Sequence, residues 1–191
     1  MTANDLILQL RSRLGDTESK KWNDIEMLDN LNIAYIKLAR ELRLFMQEIE
    51  YDILDNLTQN LPANFLDAHK VVKNKRDIPI QRAFNATDIN SNSVSIDNNT
   101  IIFHSNGKYK LIYYCYYILV SLNDEILLPF IANNALIYYA MHLLLQKKPH
   151  QNALQESSMY KNMFDIELKE LQRDIYRQHE TKLLTSPHIV V

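Results

Sequence analysis

The sequence predicts a mainly α fold: a helical bundle with a small antiparallel β unit inserted between the second and third long helices. Three observations carry that prediction. An apolar face recurs every three or four residues from Leu28 to Ile49. From Tyr51 that period fails and gives way to alternating runs and turn signals, and further apolar faces with helical spacing follow Asp124. The expected division is residues 1–50 and 124–180 for the bundle, 51–123 for the β-rich insert and 181–191 for an extended C-terminal tail.

The first element is a short helix from Ala3 to Leu14, with Leu6, Ile7, Leu10 and Leu14 on one side and Gly15-Asp16 ending it. Glycine readily takes the left-handed conformation that follows a last helical turn. The second begins at Asn23, which with Glu26 three residues on has the form of a capping box, and Trp22 stands where a hydrophobic staple would. Its stripe of Leu28, Leu31, Tyr35, Leu38, Leu42, Phe45 and Ile49 implies about six helical turns.

In the insert, "LPANFLDAHKVVKN" reads as a turn and then a strand, and "RDIPIQRAF" as a short strand that Pro79 keeps from being central. Val94 and Ile96 alternate, Asp97-Asn98-Asn99 turns, and Ile101 to Phe103 returns. Asn106-Gly107 is a strong hairpin signal, with Lys108 to Tyr117 expected to fold back beyond it. Asp124 is the expected cap of the next helix, with Pro129 in its first turn and Lys147, Lys148 and Pro149 at its end. A last helix runs from about Asn152 to about Gln178, with Tyr160, Met163, Phe164, Leu168, Leu171 and Ile175 facing inward.

Composition narrows the function classes. The net charge of −2 provides no global field toward nucleic acid or anionic lipid. Residues 61–123 are mildly basic, with 7 cationic against 4 acidic side chains. The apolar run from Tyr113 to Gln146 is broken by Asn123, Asp124 and Glu125 before it is long enough to span a bilayer, so no membrane partner is expected. With Cys115 as the only cysteine no intrachain disulfide forms, and the N-terminus lacks the features of a secretory signal, which together suit assembly in a cytoplasm. Two glycines are too few for a phosphate-cradling loop or a dinucleotide fingerprint.

No catalytic or metal-ligating pattern emerges. The six histidines form no His-Glu-x-x-His grouping, and one cysteine builds no thiolate zinc site. Glu41, Glu48 and Glu50 read as helix-surface charges, and His142 as structural or exposed. The expectation is no enzyme activity and no cofactor. Lys70, Lys73, Lys75 and Arg76, with Arg82, Lys108 and Lys110 nearby, form a basic cluster open to three readings: contact with a phosphate backbone, a charged edge that resists strand pairing, or the lining of a wide passage. Tyr113, Tyr114, Tyr116 and Tyr117 point toward association, because tyrosine combines a large apolar area with a polar tip. Lys182, Leu183, Leu184, Ile189, Val190 and Val191 form a hydrophobic end with no partner in the chain.

A resemblance gathers these pieces. Leu14-Gly15-Asp16, Trp22, Leu31-Asn32-x-Ala34, Leu61-Pro62-Ala63-Asn64-Phe65, Val71-Val72, Tyr113-Tyr114 and the Leu127-Leu128-Pro129 entry into an alanine- and leucine-rich helix occur in an order that resembles the head-tail adaptor, or connector, proteins of tailed bacteriophages. The likeness covers about residues 3–175. It implies a structural virion protein that forms a dodecameric ring, joins the portal vertex of the capsid to the tail and extends the channel for double-stranded DNA, without sequence-specific binding. It also implies a portal-binding role for Lys182 to Val191, a subunit or tail interface for the four tyrosines, and DNA proximity for the central cations. The alternatives are a tail-completion or second connector ring protein, or a small DNA-binding protein using the basic segment.

Overall fold

The computed structural model describes residues 1–55, 57–82, 92–147 and 152–184. The chain forms two compact units, residues 1–42 with 118–191 and residues 43–117, so the joins fall at Leu42/Arg43 and Tyr117/Ile118 rather than at 50/51 and 123/124.

In the helical unit, α1 (Ala3–Leu14) is set at both ends by its own sequence. The Thr2 backbone N–H donates to the Asp5 carboxylate at 2.8 Å, while the Asp5 N–H donates to the Thr2 hydroxyl at 3.3 Å. Gly15 closes the helix in the left-handed region, φ 61°. The link to α2 (Asp24–Leu42) is held by a buried ionic knot. Arg11, 4% exposed, donates to the Asp16 carboxylate at 2.9 Å, to the Trp22 carbonyl at 3.0 Å and to Asp24 at 2.6 Å. Asp16 in turn accepts the backbone N–H groups of Lys20, Lys21 and Trp22. Burial alone would raise the Asp16 carboxyl, but those N–H donors and the Arg11 guanidinium outweigh it and hold it below its ordinary 3.8. At the start of α2, Asn23 accepts the Glu26 N–H at 2.7 Å.

The second helix is shorter than its stripe implied. It stops at Leu42 because Arg43 takes a left-handed φ of 48°, and Met46 opens a strand. Phe45 and Ile49 continue the helical spacing only by coincidence: both pack into the core of the β unit. The third helix also begins later than expected, at Asn133. Asp124 caps a local turn instead, its carboxylate accepting the Val120 and Ser121 N–H groups at 2.6 and 2.9 Å. The segment leading to α3 is tied down throughout. The Leu119 N–H donates to the Asn32 side chain, which donates back to the Leu119 carbonyl. Ile126 N–H donates to the Met1 carbonyl, and Leu127 N–H to the Tyr35 hydroxyl. After Pro129 a 3₁₀ turn, Phe130–Ala132, leads into α3 (Asn133–Gln146).

Helix α3 is central to this unit, contacting α1, α2 and α4 and burying Leu136, Ile137, Ala140, Met141, Leu144 and Leu145. Lys148 and Pro149, its expected stop, lie outside the described residues. Helix α4 (Ala153–Leu184) buries Ala153, Ser157, Phe164 and Leu171. Its helical backbone continues to Leu184, past the expected end near Gln178 and into the segment expected to be extended. His142 is structural: the buried Ser157 hydroxyl lies 2.9 Å from its Nδ1 and donates to its carbonyl at 3.0 Å, fastening α3 to α4. No helix among the described residues is long and apolar enough to cross a membrane.

The β unit holds two four-stranded sheets, ordered β1-β8-β3-β4 and β2-β7-β6-β5. The strands are β1 (Met46–Ile53), β2 (Thr58–Asn60), β3 (Phe65–Lys73), β4 (Arg76–Ile78), β5 (Ile80–Arg82), β6 (Val94–Asp97), β7 (Thr100–Phe103) and β8 (Gly107–Cys115). Every pairing is antiparallel except β5 with β6, which is parallel. Ile53, Val71, Tyr109, Leu111, Tyr113 and Cys115 from the first sheet share a core with Val94, Ile101 and Phe103 from the second. Pro79 separates β4 from β5, and each lies at the edge of a different sheet, where a missing N–H costs no ladder bond. The expected turn between β6 and β7 is present but confined to Asn98-Asn99, because Asp97 pairs with Thr100 as the last residue of β6. Asn106-Gly107 does not make a hairpin, because β7 and β8 belong to different sheets. Gly107, at φ 140°, starts β8 opposite Ile53 of β1.

Candidate assembly surfaces

In β8 the odd-numbered side chains from Tyr109 to Cys115 face the core and the even-numbered ones face out. That alternation divides the tyrosine group. Tyr113, only 4% exposed, donates its hydroxyl to the Gln47 side-chain oxygen at 2.9 Å and lies 5.8 Å from the Phe65 ring. Its area is already spent inside this unit, so the interface set reduces to Tyr114, Tyr116 and Tyr117. Tyr114 points outward beneath the Arg43 guanidinium, 5.2 Å from the ring centroid, with its hydroxyl 3.2 Å from His69. Tyr116 and Tyr117 follow the end of the strand. Tyr116 donates to the Ala63 carbonyl, and Tyr117 meets the Phe45 ring edge-on at 5.1 Å. All three are half-buried.

The cations are likewise divided by strand register. Lys73 turns toward the core side of its sheet, where its ammonium donates to the Ser105 hydroxyl at 2.7 Å and lies 4.9 Å from the Tyr109 ring centroid. Its side chain fills the space over Gly107, where an added Cβ would sit 2.9 Å from Lys73 Cε. Lys70 and Lys108 face out but stand 3.7 Å from Asp77 and 3.9 Å from Asp52. Lys110, also expected beside the basic cluster, is shared by Glu48 at 3.0 Å and Glu50 at 3.5 Å, and the Glu48 carboxylate holds its ammonium above the ordinary range. Lys75 stands exposed in the β3–β4 turn, where Asn74 and Lys75 adopt φ of 51° and 64°, and Arg76 is exposed as the first residue of β4. An open groove of about 530 Å³ is lined by Glu50, Asp52, Lys75, Lys108 and Lys110 together with Tyr51, Val72, Asn74 and Tyr109. Its charges alternate in sign, so its field is close to balanced, unlike a groove built for phosphates.

Of the terminal residues, Lys182, Leu183 and Leu184 belong to the helical backbone of α4, and Ile189, Val190 and Val191 lie outside the described residues. The buried Cys115 thiol is pushed up by burial, the opposite of what a nucleophile needs. Among the described residues no group of three His, Cys, Asp or Glu side chains is placed to hold a metal ion. The surface feature that sequence reading missed is Phe130, 83% exposed beside the half-exposed Leu127 and Ile131. Assigning Asp124 as a helix cap placed that segment inside a helix, where the apolar residues would have been shared among its faces.

The family model for the SU10 adaptor protein matches residues 1–188 of the chain. No curated protein matches it.

Proposed function

This chain belongs to the SU10 adaptor protein family, a family of structural, non-enzymatic connectors that form a ring bridging capsid and tail, and we propose that it works as one link of a dodecameric ring that continues the DNA channel of the portal. Self-association, contact with portal and tail, and a place in the virion come with the family. The copy number, the passage of DNA and assembly in the host cytoplasm are parts of the proposal. The observation that carries the reading is the length of the match, 188 of 191 residues, over a helical unit and a β insert in the expected order.

Within that reading the residues take distinct roles. The C-terminal stretch from Lys182 to Val191 docks along the portal through its apolar residues Leu183, Leu184, Ile189, Val190 and Val191. Tyr114, Tyr116 and Tyr117 meet a neighbouring subunit or the tail, each offering a partly exposed ring with a polar tip. Among the central cations, Lys75 and Arg76 have the exposure to stand near passing DNA, attracting it through charge without reading sequence. Lys70 and Lys108 contribute less because Asp77 and Asp52 stand beside them. Cryo-electron microscopy of the chain assembled on its portal tests the whole reading. A closed twelve-fold ring coaxial with the portal channel is the expected result; a solitary protein at high concentration, with portal present, overturns it.

A further inference from the structure

The helical unit carries an exposed apolar projection just before α3 and, against the last turn of α3, a cavity whose wall mixes apolar and charged side chains. The projection is Phe130, 83% exposed, with Leu127, Ile131 and Met1 each 40–53% exposed around it. It is held rather than loose. Ala132 N–H donates to the Pro129 carbonyl, Ile126 N–H to the Met1 carbonyl and Leu127 N–H to the Tyr35 hydroxyl. A large aromatic held in water by a fixed turn forgoes its own burial, as the anchor of an interface does before its partner arrives.

The cavity measures about 520 Å³ and is lined by Arg13, Leu14, Trp22, Leu145, Glu156 and Tyr160, with Lys21 also at its wall. That volume lies within the roughly 300–1,000 Å³ of sites that enclose small ligands, enough for a phenyl ring with an aliphatic neighbour. Phe130 precedes the first turn of α3 and Leu145 is in its last, so the two are separated by about 18 Å of helix. A phenylalanine side chain cannot span that distance to reach Leu145 in its own chain. The charges are complementary: Asp124 and Glu125 lie just before the projection, whereas Arg13 and Lys21 outnumber Glu156 at the cavity.

We propose that Phe130 of one copy inserts into the Leu14–Leu145–Tyr160 cavity of the next, and that this head-to-tail contact is the repeating link of the ring. A projection that meets a cavity elsewhere on an identical neighbour makes a heterologous interface, which closes into a ring when the rotation per step divides a full turn. The inference rests on the ring reading and specifies its interface.

Two variants test it, each altering one side of the contact. Phe130→Asp removes the projection at a position too exposed to affect folding. Glu156→Trp, at an exposed site in the first turn of α4, fills the cavity, and Arg13→Glu with Lys21→Glu is a second cavity variant should that one misfold by circular dichroism. Mass photometry across a concentration series should show assembly of each variant displaced upward by about 30-fold or more, the loss of one hot-spot residue. An equimolar mixture of a projection variant and a cavity variant retains one intact half-interface on each molecule. It should therefore give a one-to-one heterodimer and nothing larger. A mixture that remains monomeric, or a Phe130→Asp protein that forms rings at the wild-type concentration, overturns the proposal while leaving the ring intact. Wild-type protein that forms no ring, alone or with portal, overturns the ring reading and this interface together.

Discussion

Replacing Asp16 by Asn should destabilise the helical unit far more than its size suggests. The substitution keeps one oxygen to accept the Lys20 and Lys21 N–H groups, both at 2.8 Å. The second oxygen becomes an NH₂ directed at two other donors, Arg11 Nη1 at 2.9 Å and the Trp22 N–H at 3.2 Å. Removing one partner of a buried ion pair costs about 3–5 kcal/mol. Here the Trp22 carbonyl and Asp24 still engage the guanidinium, although Asp24 is 56% exposed and a weak substitute. The expected loss is therefore about 2–3 kcal/mol. Trp22 is the only tryptophan, so its fluorescence during urea unfolding reports on this site. With a urea m-value of about 2 kcal/mol/M, the midpoint should fall by about 1 M. Asp24→Asn, the exposed control, should lose less than about 1 kcal/mol. The pH dependence follows from the lowered Asp16 carboxyl: its stabilisation is complete above its unfolded value of 3.8 and is lost as pH falls through the still lower native value. The gap between wild type and Asp16→Asn should thus be constant from pH 8 to 5 and close only below about pH 4. A loss under about 0.5 kcal/mol, a control as damaging as the variant, or a gap that closes near neutral pH would refute the reasoning.

Three other outcomes are expected. Tyr113→Ala should cost about 3 kcal/mol or more, as truncation of a core aromatic does, whereas Tyr114→Ala should cost under about 1 kcal/mol; scanning calorimetry of the pair distinguishes the buried ring from the outward one. Gly107→Ala should cost about 1–3 kcal/mol, because φ of 140° is a glycine conformation and the new Cβ meets Lys73; faster amide exchange along β8 and β1 is the readout, and unchanged protection contradicts the assignment. Deleting residues 182–191 should abolish portal pull-down while leaving the thermal midpoint of the β unit in place, and undiminished recruitment removes the C-terminal stretch from the portal contact.

What the sequence made legible was local, and what it hid was pairing. Helix α1 is written in adjacent residues: Thr2 and Asp5 at one end, Gly15 at the other. Helix α2 was overextended because Phe45 and Ile49 satisfy a helical period while also fitting the alternation Gln47, Ile49, Tyr51, Ile53 that faces the sandwich. Two periods that coincide at one residue cannot be separated there by spacing. Asn106-Gly107 has a composition shared by hairpins and by strand connections between sheets, and only the pairing of β8 with β1 and β3 distinguishes them. The candidate surfaces followed the same logic. Residue type marked the tyrosines and lysines, but which ones face out depends on the register of β8, and Tyr113 and Lys73 were turned inward by partners far away in sequence.

The edges of the two sheets bear on where association occurs. Strand β1 is long and at an edge, yet its outward positions alternate Met46, Glu48, Glu50 and Asp52, so an approaching strand meets a row of carboxylates. Among the described residues, strand β4 has only three residues and runs into Pro79, which offers no N–H, and β2 and β5 are equally short. Each edge is thus blunted by charge, by proline or by brevity. The outer face is neutralised in pairs, Lys110 by Glu48 and Glu50, Lys108 by Asp52, Lys70 by Asp77 and Arg43 by Asp67. A protein that must remain soluble as a single chain before joining a ring gains from this arrangement, because uncontrolled edge-to-edge pairing would compete with the specific contact. The ring contact proposed above lies instead in the helical unit, where Phe130 is held in water. Replacing Glu48, Glu50 and Asp52 with threonine should accordingly produce amorphous or fibrous aggregates rather than larger or tighter rings, whereas rings strengthened by those changes would move the subunit contact to β1.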